Sequence, residues 1–287
     1  MKKFLFLLLL PILLIACKGN GQHQETTDTH SQKTIGRSKT DNPLVKEFKP
    51  LIKGSWISKT YVDELIKTRS VFSATQKLDE ISGMVIDPSF IKADTLPVVL
   101  GLNNIEGGAA SLRFRAGTHP HSIKFHILLT ESDKSDKGEL SYEIKGADTL
   151  LVLYYQNSNG KSSTARYMRT KPGNGLSDAL TYTINRSVFS GHYTYIDSLG
   201  HATKITFNSN GTINGFGKNK IYEASTIFNN EPATNIDDFQ IGSDQNNAEY
   251  LPYLFVGDTL KIYERRLSAD STILIRGPLR YKLIRQR

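Results

Sequence analysis

The chain has 287 residues, a formal charge of +8 and 38% apolar side chains, a length that suits one large domain or two small ones. Its single cysteine excludes an intramolecular disulfide, so stability has to come from packing. The positive balance raises nucleic acid as a partner, a reading that the amino-terminal segment argues against.

Residues 1–17 read MKKFLFLLLLPILLIAC. Lys2 and Lys3 form a basic start, and Phe4 to Ile15 form an apolar run of 12 residues. Spanning a hydrocarbon core takes roughly 20 apolar residues, so the run reads as the core of an export signal. Leu14-Ile15-Ala16-Cys17 resembles the lipobox of bacterial lipoproteins, which implies cleavage before Cys17 and acylation of it. Two or more acyl chains anchor stably where one is marginal. Removing Lys2 and Lys3 takes the charge from +8 to +6. By analogy with lipoproteins of Gram-negative bacteria, Lys18 in place of Asp favours the outer membrane, where nucleic acid is not an expected partner. The expected location is therefore the cell envelope, lipid-anchored, on the periplasmic or surface face.

Residues 18–45 are rich in Gly, Asn, Gln, Thr, Ser and Lys and poor in large apolar side chains. Such a segment buries too little surface to offset its ordering entropy, so it reads as a flexible tether, and His23 and His30 as linker histidines.

Beyond residue 50, apolar and polar residues alternate repeatedly. Leu112-Arg113-Phe114-Arg115 and Ile123-Lys124-Phe125-His126-Ile127 are clear in the first half. Lys204–Phe207, Leu260–Tyr263 and Tyr281–Ile284 follow in the second. Asn103-Asn104, Asn159-Gly160, Leu199-Gly200, Asn210-Gly211 and Gly257-Asp258 supply turns, which points to antiparallel sandwiches or barrels. Asn210-Gly211 is the strongest two-residue hairpin signal. One stretch breaks the pattern: apolar residues at 61, 62, 65 and 66 behind Thr60-x-x-Asp63 predict a short helix, with a second over Ser73–Leu78, as an insertion after the first strand.

The two halves echo each other. Gly54-Ser55-Trp56 and Gly146-Ala147-Asp148-Thr149-Leu150 in the first correspond to Gly191-His192-Tyr193 and Gly257-Asp258-Thr259-Leu260 in the second. From Gly to Asp the spacing is 94 residues, then 67, a difference of 27 that the helical insertion largely explains. The expectation is an all-β chain with two tandem domains, 46–172 and 176–287, each owning its core. A strand opening with Gly-x-Trp, Gly-Asp-x-Leu hairpins and a closing strand bearing Arg resembles the lipocalin-type (calycin) barrel, and small barrels of this kind occur in exported lipoproteins of unknown role. In that family the tryptophan packs under an arginine of the last strand, a cation over an indole face worth up to about 2 kcal/mol when desolvated. The resemblance implies Trp56 under Arg166 or Arg169, and Tyr193 under Arg280. It also implies a small apolar or amphipathic ligand inside a barrel. Interior candidates in the second half are Ile205, Phe207, Ile213, Phe216, Ile227, Phe228, Phe239, Leu260 and Ile262.

Catalytic signals are sparse. Nucleophile elbow, P-loop, dinucleotide fingerprint and HExxH patterns do not occur, so the chain reads as a binding or interaction protein, without cofactor, instead of an enzyme. His119-Pro120-His121 with His126 is the best metal candidate, but Gly117 and Pro120 suggest a turn, and no metal site is assigned. Asp133, Asp136 and Glu139 faintly suggest a calcium loop, which Lys134 and Lys137 oppose; a polar hairpin tip fits better. Asp237-Asp238 reads as a solvated loop. Asp-Thr-Leu and Asp-Ser-Leu at 94, 148, 197 and 258 resemble a bacterial O-glycosylation sequon, though turns before strands explain them equally. The terminal run Arg276, Arg280, Lys282, Arg285 and Arg287 suits a solvated strand face or anionic headgroups. The remaining expected partners are the membrane, through the anchor, and an envelope protein.

Overall fold

The computed structural model describes residues 42–102, 106–128, 136–156, 160–171, 175–226, 235–242 and 248–286. Cys17, His23 and His30 lie outside them. Order begins earlier than the composition suggested. The Asn42 side chain accepts from the Leu44 amide at 2.9 Å and Pro43 occupies the first helical position, which together start helix α1, Pro43–Ile52. Phe48 and Ile52 are buried; residues 43–45, expected in the tether, are helical because these two side chains have a core to join.

Eight antiparallel strands follow and close into a barrel. They are β1 (Gly54–Ser58), β2 (Ile81–Ile86), β3 (Thr95–Leu102), β4 (Glu106–Ala116), β5 (Ser122–Leu128), β6 (Asp136–Lys145), β7 (Asp148–Gln156) and β8 (Ser162–Thr170). Closure is made by β1, which pairs with β2 on one side and β8 on the other. Alternation puts Met84, Leu100, Leu112, Phe114, Phe125, Leu140, Leu153 and Tyr167 in one buried cluster inside. The Tyr167 hydroxyl is satisfied there by the Ile81 carbonyl at 3.1 Å.

Between β1 and β2 lie α2, Lys59–Thr68, and α3, Val71–Thr75. Ser58, not Thr60, caps α2: its hydroxyl faces the Tyr61 amide at 3.4 Å. Ser70 caps α3, moving that helix two residues upstream of the expected start. A helix that the sequence pattern did not reveal, α4 (Leu176–Ile184), runs on into a π-helical turn, Asn185–Phe189.

The second half forms an eight-stranded sheet of β9 (Gly191–Ile196), β10 (Ala202–Phe207), β11 (Ile213–Asn214), β12 (Tyr222–Ala224), β13 (Asp238–Ile241), β14 (Glu249–Val256), β15 (Thr259–Leu267) and β16 (Leu274–Arg285). Its order is β11-β10-β9-β16-β15-β14-β13-β12. Its two end strands are linked by a bridge between Thr212 and Ile221, with Tyr222 N donating to Gly211 O at 2.8 Å. The Asn210-Gly211 turn is longer than a two-residue hairpin. Asn208 N donates to Thr212 O at 2.9 Å and Gly211 N to Asn208 O at 3.0 Å, because Asn210 Oδ1 holds the Thr212 amide at 3.1 Å.

Ile205, Phe207, Ile213, Phe216, Phe239, Leu260 and Ile262 are buried in one cluster; Ile227 and Phe228 lie outside the described residues. That cluster also contains Ile57, Tyr61, Val62, Leu65, Val71 and Ala74. The helical insertion of the first half therefore buries its apolar face in the core of the second: the barrel cluster is built of first-half residues alone, but the second core is shared. Ile66, expected on that face, is exposed. Ser38–Arg287 forms one compact unit.

Candidate functional site

Two constructions stand out, one structural and one open to solvent. The structural one occurs twice. Trp56 is buried and its indole Nε1 donates to the carbonyl of Ile52, four residues earlier, at 2.8 Å. Tyr193 is buried likewise, and its hydroxyl donates to the carbonyl of Phe189, also four residues earlier, at 2.7 Å. In each case a helix end feeds a Gly-x-aromatic strand, and an arginine of the last strand covers the ring. The Arg169 guanidinium lies 4.7 Å from the Trp56 ring centre and donates to the Leu51 carbonyl. The Arg285 guanidinium lies 5.8 Å from the Tyr193 ring and donates to Ser190 O. Gly54 and Gly191 have φ of +131° and +151°, and a Cβ on Gly191 would meet Arg285 Nε at 3.0 Å. The glycine thus makes room for the arginine.

Two of the expected arginines do other work. Arg166 points outward to Glu143 Oε1 at 2.9 Å, because β8 alternates and Tyr167 takes the inward position. Arg280 pairs with Glu249. The β16–β9 register places Arg285 opposite Tyr193, while Arg280 falls where the β15–β16 pairing shifts, between Leu279 and Tyr281.

The open construction is a groove of about 720 Å³ on the outer wall of the barrel. Because Leu112, Phe114, Ile123, Phe125, Leu140 and Leu153 face inward, the alternate residues Arg113, Arg115, Lys124, His126, Glu139 and Tyr154 project outward and line it. A register shift between Arg113 and Ala116 marks a bulge in β4 at its edge, a device that re-aims side chains next to sites.

Glu139 organises this groove. It is 7% exposed and lies opposite Lys124 across the β5–β6 pair, not at a hairpin tip. Lys124 Nζ donates to Oε1 at 2.6 Å, the Thr118 amide reaches both oxygens at 2.8 Å, and the His119 amide and Ser122 hydroxyl donate to Oε2 at 2.9 Å. His119 Nδ1 completes the set at 2.8 Å. A Cβ on Gly117 would sit 2.5 Å from Glu139 Oε2, so a glycine is needed for the turn to approach the carboxylate. Burial pushes the Glu139 carboxyl up, but hydrogen bonds from Lys124, His119 and Thr118 outweigh it and hold the group well below its ordinary value. It stays an ionised acceptor and is saturated with donors, which suits it to hold the turn in place and not to shuttle protons.

An ionised carboxylate only accepts, so His119 Nδ1 carries the proton of this contact. The ring stacks on Tyr154 at 3.8 Å with 1° between planes. Arg113 and Arg115 are exposed and make no hydrogen bond or ion pair among the described residues. With Glu139 paired to Lys124, the groove presents two guanidiniums without a partner among the described residues and a shelf of stacked Tyr154 and His119 rings. The polar run before Glu139 hid it in the sequence; the usable signal was its cross-strand pairing with Lys124.

The other candidates resolve differently. His119, Pro120 and His121 do form a turn, and among the described residues no group of three or more His, Cys, Asp or Glu could hold a metal. Asp133 lies outside the described residues. Asp237 and Asp238 are buried, not solvated: Asp237 accepts from the Phe72 amide at 2.8 Å and so ties α3 to the second sheet. Burial raises the pKa of both.

Fold and site together define a β-barrel protein with an added eight-stranded sheet and a cationic surface groove. The chain matches no protein family, no curated protein and no solved structure.

Proposed function

We propose that this protein is a lipid-anchored envelope protein, exported and acylated on Cys17, that binds a small amphipathic ligand carrying an anionic group. In this reading the fold is two lipocalin-like barrels in tandem, and both are filled. The duplicated Gly-x-aromatic strand under an arginine supports the tandem relation. The side chains occupying the first barrel support a solid interior, since a barrel of about eight strands either fills with side chains or holds one small ligand. The binding site therefore moves from the lumen to the outer wall. The observation that carries it is the groove of about 720 Å³ in which Arg113 and Arg115 have no partner among the described residues. Free guanidiniums favour planar or tetrahedral anions, and the Tyr154–His119 stack offers an apolar shelf for the remainder of the ligand. The role is binding without catalysis, because the carboxylate buried at the groove, Glu139, is fully occupied.

The test uses octyl phosphate and octanol as matched amphiphiles, one anionic and one neutral, with calorimetric titration of the chain from Lys18 onward. Octyl phosphate binds, octanol does not, and Arg113→Ala with Arg115→Ala abolishes the heat. Equal binding by the double variant, or no binding of octyl phosphate at all, overturns the groove as the site. A Cys17→Ser chain recovered still tightly held in the envelope fraction overturns the anchor.

A further inference from the structure

The outward face of the second sheet carries two rows of side chains that the groove does not use. Tyr253, Leu260, Ile262 and Leu283 are fully buried, so the residues between them point outward. One row runs Leu254, Lys261, Lys282 across β14, β15 and β16. The next runs Val256, Thr259, Ile284, Thr194, Lys204 across β14, β15, β16, β9 and β10. Neither row contains an acid. Lys261 and Lys282 are direct cross-strand partners, an arrangement that repels and destabilises. Neither of them, nor Lys204, makes an ion pair among the described residues. The arginines of the terminal basic run are committed elsewhere: Arg276 to Tyr253 O at 3.3 Å, Arg280 to Glu249 and Arg285 to Ser190 O. Arg287 lies outside the described residues.

Aliphatic surface accumulates in the same place. Of the fifteen large hydrophobic residues exposed among the described ones, six aliphatic ones lie on β14–β16. Leu254, Val256 and Ile284, 37–50% exposed, flank the lysines directly.

We propose that this face docks on an anionic lipid surface, with headgroup phosphates relieving the Lys261–Lys282 repulsion and the aliphatic residues entering the acyl boundary. Exposed apolar patches rimmed by polar groups mark protein or membrane contacts. Here the composition separates the two. Protein–protein interfaces are depleted in lysine and enriched in aromatics and arginine, whereas these two rows hold lysine, aliphatic and threonine side chains and no aromatic or arginine. The proposal is independent of the groove. It adds to the anchor reading a basic patch, a further membrane signal beside the acyl chains. Residues 18–41 span up to about 80 Å when extended, which lets the face reach the bilayer that holds Cys17.

The test uses the unacylated chain from Lys18 onward, so that the anchor contributes nothing. It is sedimented with vesicles of phosphatidylcholine, with and without phosphatidylglycerol. Binding is expected only with phosphatidylglycerol, and it weakens as salt rises. Lys261→Ala and Lys282→Ala each reduce it about 5-fold, the equivalent of about 1 kcal/mol per lysine near an anionic surface. Leu254→Ser weakens binding while preserving its salt dependence, and Lys92→Ala, at an exposed lysine outside both the face and the groove, leaves it unchanged. The lysine variants remove a repulsion and retain their fold, as read by circular dichroism. Equal sedimentation with phosphatidylcholine alone, no sedimentation with either vesicle, or undiminished binding by the folded double lysine variant overturns the proposal.

Discussion

Replacing Glu139 by Gln tests the groove at its centre. The carboxylate receives Lys124 and Thr118 on Oε1 and Thr118, His119 and Ser122 on Oε2. A glutamine keeps one acceptor oxygen and turns an NH2 toward donors, so one side of this set loses its acceptor. Hydrogen bonds to charged groups contribute about 1.5–3 kcal/mol each. The Lys124 and His119 side chains are 38% and 43% exposed and recover water, so the buried Ser122 hydroxyl and the turn amides carry the loss. The sum is about 3 kcal/mol, which for a chain of this size lowers Tm by about 10 °C. The pH dependence follows in sign. A carboxyl held below its ordinary value of 4.5 when folded contributes stability that is complete above that value and drains away as pH falls toward the folded pKa. Melting curves of parent and variant, followed by circular dichroism, are therefore expected to lie far apart at pH 7 and to converge below about pH 4. A variant within about 1 °C of the parent at pH 7, or a gap that persists unchanged to pH 3, refutes Glu139 as the organising anion.

Two further outcomes follow from the shared core and the buried acids. Leu65→Ala removes a fully buried side chain from the cluster of the second sheet and costs about 2–5 kcal/mol; in hydrogen exchange, amides of β9–β16 lose protection before those of β1–β8, and the reverse order would sink the shared-core reading. Asp238 is buried with Oδ1 lacking a partner and its pKa raised by burial, so the parent gains stability as pH falls toward that raised value. Asp238→Asn accordingly melts higher than the parent at pH 8, with an advantage that shrinks on acidification; an advantage that grows at low pH would be inconsistent with it.

Much of the local structure was legible from neighbouring residues. The strands at Leu112–Arg115, Ile123–Ile127, Lys204–Phe207 and Leu260–Tyr263 lie where period-two alternation put them, and the turn at Gly257-Asp258 joins β14 to β15. The helical insertion was visible in the 3.6-residue spacing of Tyr61, Val62 and Leu65. Helix α4 was not, because its sequence, LSDALTYTI, has no strong capping residue before it and ends in β-branched residues.

The lipobox-like start, the polar composition of residues 18–41 and the alternation of the strands are properties of adjacent residues, and the amino-acid order alone determined them. Which arginine covers Tyr193, which core receives α2, and that Glu139 is buried beneath Lys124 and His119 were decided by tertiary structure. Each depends on pairing between residues far apart in the chain, as the β16–β9 register does in setting Arg285, not Arg280, opposite Tyr193. Periodicity states that a strand has two faces; only the closed sheet and the second core laid against the helices determine what each face meets.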